Sequence, residues 1–336
     1  TDLTEPGGAA LLDWTSRAWA AERLALAGLD PDVLPPIHPA DGDGGALRPA
    51  VARSLGLSPD ARVVVGMGDV AALFGAAPPR PGRVTCSLGS SSMVFAPLPP
   101  GQEVNDPQGR LYVYPFGPYP MLGGVSSTTG ASLQWAYNLA RGEARGLSFE
   151  AWVTAALEIE PGAGGACFLP YLAGERSPYW SDAIRGGFYG LQLGHDDRHM
   201  ARAVMEGVAW SLRHLLDLYQ ALGQPIDEIA LAGGGARTPG WPAIIADATQ
   251  RDVLLFAGEE TVTRVLYALC QSHLARLSFD AALLQTFDEP VIIRHRPALA
   301  DLYDEGYRRY RAFARFAWQQ ARGPEGAATR GTDTSS

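Results

Sequence analysis

Between Phe168 and Glu206 the chain sets three features in a fixed order. Phe168-Leu-Pro-Tyr-Leu-Ala-Gly-Glu-Arg-Ser-Pro-Tyr-Trp180 carries a Gly-Glu-Arg-Ser-Pro turn, Gly186-Gly-Phe-Tyr-Gly-Leu191 is an aromatic pair bracketed by glycines, and a long helical stretch begins seven residues after Leu191. Chance rarely supplies all three in this order. From about Arg198 to Leu222 the residues Met200, Val204, Val208 and Leu212 recur at helical spacing, so one face of that helix is expected to be apolar and buried. His195 and His199 stand four apart at its start. The sequence His195-Asp-Asp-Arg-His199 lacks the glutamate of a His-Glu-x-x-His zinc site and offers no third ligand, so capping of the helix by Asp196 or Asp197 is the expected role.

Composition excludes several classes. At 336 residues the chain can bury a sizeable core and is expected to hold more than one domain. A net charge of -9 argues against a nucleic-acid partner, because phosphate backbones are bound through clustered positive charge. No apolar run of about 18 residues occurs, so no membrane span is expected, and no charged-then-apolar leader follows Thr1. The three cysteines, Cys86, Cys167 and Cys270, suit a reducing cytoplasm as small apolar fillers. All 27 basic residues are arginine. Without lysine there is no Walker A loop and no Schiff base, so any nucleotide phosphates must be cradled more by backbone amides.

Along the chain, residues 1 to about 60 read as an extended connector with one helix near Ser16 to Gly28, interrupted by a Pro/Gly/Asp-rich stretch from Pro31 to Gly45. Arg62-Val-Val-Val-Gly66 reads as a buried strand. Strands are expected at Val84–Leu88, Met93–Leu98 and Leu111–Pro115, helices at about Thr129–Ala140 and Phe149–Ile159, and, after the long helix, a strand at Glu228–Ala232. Arg322–Ser336 is small and polar and is expected to be disordered.

Four segments carry candidate chemistry. In Val84-Thr-Cys-Ser-Leu-Gly-Ser-Ser-Ser-Met-Val-Phe95 a glycine- and hydroxyl-bearing turn joins two strands, which is either a plain hairpin or an anion-binding concavity. Ile229-Ala-Leu-Ala-Gly-Gly-Gly-Ala-Arg-Thr-Pro239 runs from a strand into three glycines, a turn that lets a nucleotide approach the backbone. A dinucleotide fingerprint would need glycine where Thr238 stands, which leaves a dinucleotide-binding oxidoreductase incomplete. Thr129-Gly-Ala-Ser-Leu-Gln-Trp135 reads as a helix start. Val64-Val-Gly-Met-Gly-Asp69-Val-Ala-Ala-Leu-Phe-Gly75 places Asp69 in a permissive turn before a helix of small residues, as a helix cap or as a carboxylate able to take a proton.

The run from Phe168 to Glu206 resembles the C-terminal signature of the FGGY family of carbohydrate kinases, which transfer the γ-phosphoryl of ATP to a sugar or polyol hydroxyl. The resemblance extends from Leu11-Leu-Asp-Trp to about Ala321 and begins in the middle of the family's pattern. It implies an α/β, ribonuclease-H-like (actin-like ATPase) fold with the cleft between two domains. Residues 1–82 would be the end of the N-terminal substrate domain, 83–321 the ATP-binding domain and 322–336 a tail. On the family's motifs, Gly89, Ser90 and Ser91 fall in the phosphate turn, Gly130 and Gln134 on a segment touching the nucleotide, and Gly234, Gly235 and Ala236 against adenosine. Asp69, in Gly66-Met-Gly-Asp-Val-Ala-Ala72, takes the position of the catalytic base.

The cofactors implied are ATP and Mg2+, the metal bound largely by residues outside this chain and none within it. The partners implied are a small-molecule sugar and either a separate N-terminal kinase half or a second copy, with no nucleic acid and no membrane, in the cytoplasm. A xylulose-like ketose is the first substrate and gluconate the second; the rival is a nucleotide-binding remnant or scaffold without turnover. Two departures from the family stand out. Ser92 replaces the last glycine of the phosphate turn, and Thr263-Arg-Val-Leu266, within Glu259–Cys270, replaces a Gly-Ala-Ala-like run near the adenine.

Overall fold

The computed structural model describes residues 1–99, 102, 104, 106–116, 119–140, 146–256 and 260–322. The expected tail and Glu259 lie outside these residues, save Arg322, which ends the last helix.

Residues 1–66 fold as three short helices, α1 (Thr4–Gly8), α2 (Ala21–Ala27) and α3 (Pro49–Leu55), and two antiparallel ribbons. The ribbons pair β1 (Leu12–Asp13) with β2 (Ala18–Trp19) and β3 (Asp43–Ala46) with β4 (Arg62–Val64). The helix expected near Ser16 is thus confined to Ala21–Ala27, because Ala18 and Trp19 are taken into a ribbon. It stops at Gly28, which adopts φ +66°, a left-handed conformation that costs glycine little. The valines of β4, expected to be buried, are exposed or half-buried. They pair with β3 outside the main sheet, so no packed layer covers both faces.

After α4 (Asp69–Phe74) the chain enters a mixed seven-stranded sheet. Its strands are β5 (Gly82–Leu88), β6 (Ser92–Pro97), β7 (Tyr112–Phe116), β8 (Tyr119–Ser126), β11 (Ile226–Ala232), β12 (Asp252–Leu255) and β13 (Val291–Ile293), in the order β13-β12-β11-β5-β6-β8-β7. β11 runs parallel to both β5 and β12, and the remaining neighbours are antiparallel. β9 (Cys167–Leu169) and β10 (Gly187–Tyr189) pair as a separate antiparallel hairpin. The helices are α5 (Gly130–Leu139), α6 (Phe149–Ala156), α7 (Asp197–Ala221), α8 (Trp241–Thr249), α9 (Thr261–Ala275), α10 (Phe279–Thr286) and α11 (Ala300–Arg322).

The long helix α7 departs from the single apolar face expected of it. Residues 201–212 are buried on every side, because the helix is enclosed by α5, α6, α8, α11, β9 and the sheet. Met200, outside that stretch, is half-buried. Among the polar residues drawn inward, Arg202 Nε donates to Glu206 Oε1 at 2.7 Å, Arg202 Nη2 to Tyr303 Oη at 3.1 Å, and Gly162 N–H to the same Glu206 oxygen at 2.9 Å, while Glu206 Oε2, Trp210 Nε1 and His214 Nδ1 are buried without a partner among the described residues. A second apolar cluster forms around Phe74, Phe95, Phe116, Met121, Val265 and Leu269, joining α4 to the sheet and to α9.

Candidate active site

The parallel pair β5–β11 organises the site, since open α/β sheets bind ligands beyond the carboxyl ends of parallel strands. The register sets Ala232 beside Ser87, so the glycine turns that follow both strands emerge side by side. Gly233 adopts φ +85°, and a Cβ there would lie 2.9 Å from Leu88 O. At Gly235 a Cβ would lie 2.5 Å from the Leu88 side chain. Any larger residue at either position would push the turn off the end of β5.

The turn after β5 is locked to the start of α5. Gly89 N–H donates to Ser91 O at 3.0 Å, Thr129 N–H to Ser90 O at 2.8 Å and Gly130 N–H to Gly89 O at 2.9 Å. A Cβ on Gly130 would lie 2.5 Å from Gly89 O, so this contact admits glycine alone without a shift. Ser92, where the family pattern has glycine, is fully buried, and its hydroxyl donates to Thr129 Oγ1 at 3.0 Å. It braces the turn from beneath.

Gly89, Ser90, Ser91, Gly130, Gly234, Gly235 and Ala236, read separately from the sequence, therefore meet at one end of the sheet. Of these only Gly234 and Ala236 line the cavity beside the turns, and Gln134 lies one turn along α5 on an exposed face, with its Nε2 donating to Asn138 Oδ1 at 3.1 Å. Beside the triple glycine opens a cavity of about 400 Å³, lined by Gly233, Gly234, Ala236, Arg237, Phe256, Glu260, Thr261, Val262 and Phe287, with Leu73 and Ala76 closing the side toward α4. None of residues 263–266 lines this cavity, although Arg264 stacks at 4.9 Å over the ring of Phe287, which does. Val265 turns away to pack where a Cβ on Gly75 would lie 2.6 Å from it, so the bulk is absorbed between α9 and α4.

Asp69 is the first residue of α4, with Gly68 as the capping position, so it is not the cap itself. Its carboxylate is exposed and accepts the Val70 N–H at 2.7 Å. One helical turn later Leu73 lines the cavity. The same short helix thus carries the candidate base at its start and a wall of the cavity toward its end.

Two features escaped the sequence reading. Glu175, from the Gly-Glu-Arg-Ser-Pro turn, is buried and clamps the corner before α5: Ser126 Oγ donates to its Oε2 at 2.8 Å, and the Ser127 and Arg176 N–H groups to its Oε1 at 2.6 and 2.8 Å. Burial pushes this carboxyl up to about 7, against the pull of those donors. The motif was visible, but its partners lie almost fifty residues upstream. Likewise Gly68 N–H donates to the hydroxyl of buried Thr4 at 2.8 Å, across 64 residues.

Asp196 caps α7 as expected. It accepts from Arg198 and His199 N–H, and the His199 ring reaches back to the Asp196 N–H. The His195 and His199 rings stack at 4.8 Å. Among the described residues no three His, Cys, Asp or Glu side chains come together to hold a metal, and no helix is long and apolar enough to cross a membrane.

The model of the C-terminal domain of the FGGY family of carbohydrate kinases matches residues 84–264, more than half of the chain. The chain belongs to the FGGY family. It is 30% identical to a xylulose kinase of Bacillus subtilis over 265 residues, which is 77% of this chain and 52% of that protein. It is 29% identical to a gluconokinase of Bacillus licheniformis, covering 73% of this chain and 49% of that one. Among solved structures, one described as a xyloylose kinase from Brucella ovis superposes with a TM-score of 0.84 at 28% identity, covering 93% of this chain and 64% of that chain. A gluconate kinase from Lactobacillus acidophilus shares the fold, with a TM-score of 0.86 at 21% identity. The fold is the actin-like ATPase fold of these kinases, and the chain spans about half the length of the curated relatives it matches.

Proposed function

We propose that these residues form the nucleotide-binding and base-bearing part of an ATP-dependent kinase acting on a sugar or sugar-acid hydroxyl, a xylulose-like ketose first and gluconate second. The observation that carries the reading is the convergence of the Gly89, Gly130 and Gly233–Ala236 turns at the ends of β5 and β11, one helix away from Asp69. Close backbone approach at three glycines suits a polyphosphate, which is bound by backbone amides where side chains would obstruct it. Residues 1–82 then complete a sugar-binding domain, residues 83–321 hold ATP, and the remaining sugar contacts come from residues outside this chain, in the same polypeptide or a partner.

In this reading Asp69 takes the proton of the attacking hydroxyl as it meets the γ-phosphoryl group, and most of the rate comes from positioning and charge neutralisation. Asp69 suits the role because its carboxylate faces solvent, where a substrate hydroxyl can reach it. Mg2+ accompanies the ATP phosphates in this reading, and no step is assigned to it on residues of this chain. A cytoplasmic setting follows from the same substrates.

The test is a panel of pentuloses and gluconate with ATP on the full-length protein that carries these residues, following ADP release, alongside Asp69→Ala. Sugar-dependent ADP release that is lost in Asp69→Ala supports the reading. ATP binding with no sugar-dependent turnover would select a remnant without chemistry.

A further inference from the structure

Asp69 has little of its own to hold it in place. It sits at the surface after Gly66-Met-Gly68, a turn whose two glycines give the backbone wide freedom, and its carboxylate touches the neighbouring Val70 N–H. A base that must meet a sugar hydroxyl within hydrogen-bond reach needs that turn fixed to a fraction of an ångström. The fixing comes from 64 residues upstream. Thr4 is fully buried, and its Oγ1 accepts the Gly68 N–H at 2.8 Å; Gly68 is the residue that caps α4 immediately before Asp69.

The Thr4 hydroxyl has one proton and cannot give it to an N–H, so it must point elsewhere. It donates to Asp2 Oδ1 at 2.8 Å, while the other Asp2 oxygen accepts the Thr4 N–H at 3.1 Å. Asp2 is itself buried, so its two oxygens orient the hydroxyl and leave its lone pairs aimed at Gly68. The turn lies flat on α1: a Cβ on Gly68 would meet Glu5 Oε1 at 2.8 Å and Thr4 Oγ1 at 3.1 Å. The strand side is held separately, by Gly66 N–H on Ala40 O at 2.8 Å and Val65 N–H on Gly42 O at 3.0 Å. Thr4 therefore supplies the hold on the helix side, where Asp69 begins.

We propose that Thr4, oriented by Asp2, is a positioning residue that sets the place of the base Asp69. This rests on the assignment of Asp69 given above. A tether that merely anchored α1 would affect melting and leave turnover alone. A positioning tether acts mainly on kcat and changes the KM for ATP little, because the glycine turns stand on β5, α5 and β11, which Thr4 does not touch, and α4 adds only Leu73 to the cavity wall.

The experiment compares Thr4→Val, Thr4→Ser, Asp69→Asn and the Thr4→Val/Asp69→Asn double variant in the full-length protein, by steady-state kinetics and thermal melting. Thr4→Val is expected to lower kcat by about 10- to 100-fold with the KM for ATP within about twofold, Thr4→Ser to recover kcat to within about threefold of the parent, and the double variant to be no slower than Asp69→Asn, since residues acting as one unit are not additive. If Thr4→Val melts earlier but turns over at the parent rate, the positioning role is overturned while Asp69 stands. If Asp69→Asn keeps more than about a tenth of the parent kcat, the base assignment itself fails, because a general base is worth at least about a hundredfold. Should Thr4→Val not fold, Asp2→Asn carries the test: it keeps an acceptor for the Thr4 hydroxyl and loses one for the Thr4 N–H. A drop of about threefold in kcat is expected, as for one weakened hydrogen bond, and an unchanged kcat would overturn the proposal.

Discussion

Residues 1–66 and residues 82–322 are built to different standards. The second region closes a seven-stranded sheet over α7, whose middle three turns are buried on all sides. The first has two-stranded ribbons and short helices, and leaves Leu26, Val33 and Leu55 exposed at 89%, 72% and 63%. Its order is borrowed: α1 packs on β7, the 37–41 segment meets α9 through Asp41, and the turn leading out of it is pinned by Thr4. The turns proposed to hold the nucleotide stand on the thick region, and Asp69, the proposed base, stands where the thin one joins it. Chemistry and scaffold should therefore be separable by mutation.

The largest expected effect tests that separation directly. Asp69→Asn should lower kcat by about 10²- to 10⁴-fold, the usual contribution of a positioned base, with no measurable change in melting temperature, because the side chain is exposed and bonds its own neighbour. Kinetics and calorimetry on one preparation check both halves. A fall in melting temperature of several degrees would mean that the thin region depends on this carboxylate for its fold.

Next comes the thick region. Glu206 has one oxygen accepting from Arg202 Nε, Tyr303 Oη and Gly162 N–H, within a wholly buried setting. Glu206→Ala strands the Arg202 guanidinium and should destabilise the protein by about 3–5 kcal/mol, the range for removing one partner of a buried pair. Urea unfolding measures it. A loss below about 1 kcal/mol would mean that water or a rearranged side chain takes over, and that α7 is less tightly enclosed than its burial indicates.

What was legible in the sequence follows the same division. In the thick region the strands at Val84 and Met93 and the helices at Thr129 and Arg198 emerge within a few residues of the expected bounds, because burial enforces periodic patterns there. β8 was missed: Pro120, Gly123 and Gly124 dilute its apolar signal, and it is a strand because β6 and β7 both pair with it. In the thin region β4 misled, since a β-branched run reports strand propensity and says nothing of what will cover it. The glycine turns were picked out one at a time, their roles implied by the family resemblance, but their meeting is a matter of register between β5 and β11. The Asp2–Thr4–Gly68 and Glu175–Ser126 clamps were out of reach for a simpler reason: no local pattern links residues that far apart.

Glu175 sharpens the comparison through pH. Its carboxyl is raised from 4.5 to about 7 by burial. The folded chain thus holds this proton more tightly than the unfolded chain does. The stability contributed by the protonated form is fully present below about pH 4.5 and is lost as pH rises through about 7, a change on the order of 3 kcal/mol at about 1.4 kcal/mol per pH unit. Glu175→Gln keeps an acceptor for Ser126 and cannot ionise, so its stability should stay flat across that window while the parent's declines. Urea midpoints at pH 5 and pH 8 give the answer, and parallel declines in both proteins would assign the slope to other groups.

The smallest expected effect decides what the thin region is for. Leu26, on α2, is almost wholly exposed, and a polar substitution at such a position changes stability by less than about 0.5 kcal/mol where the face stays open to water. Leu26→Gln, Val33→Gln and Leu55→Gln should each fall within that limit if residues 1–66 end at the surface seen here. If further protein packs over them, each would lose the transfer energy of a buried side chain, about 1.5–3 kcal/mol for complete burial. Unfolding of the three variants in the full-length protein distinguishes the cases. Three neutral results would leave the thin region standing on the sheet alone. A cost confined to one of the three would mark the edge of the covered area, and a cost at all three would show that further protein packs over each of these positions.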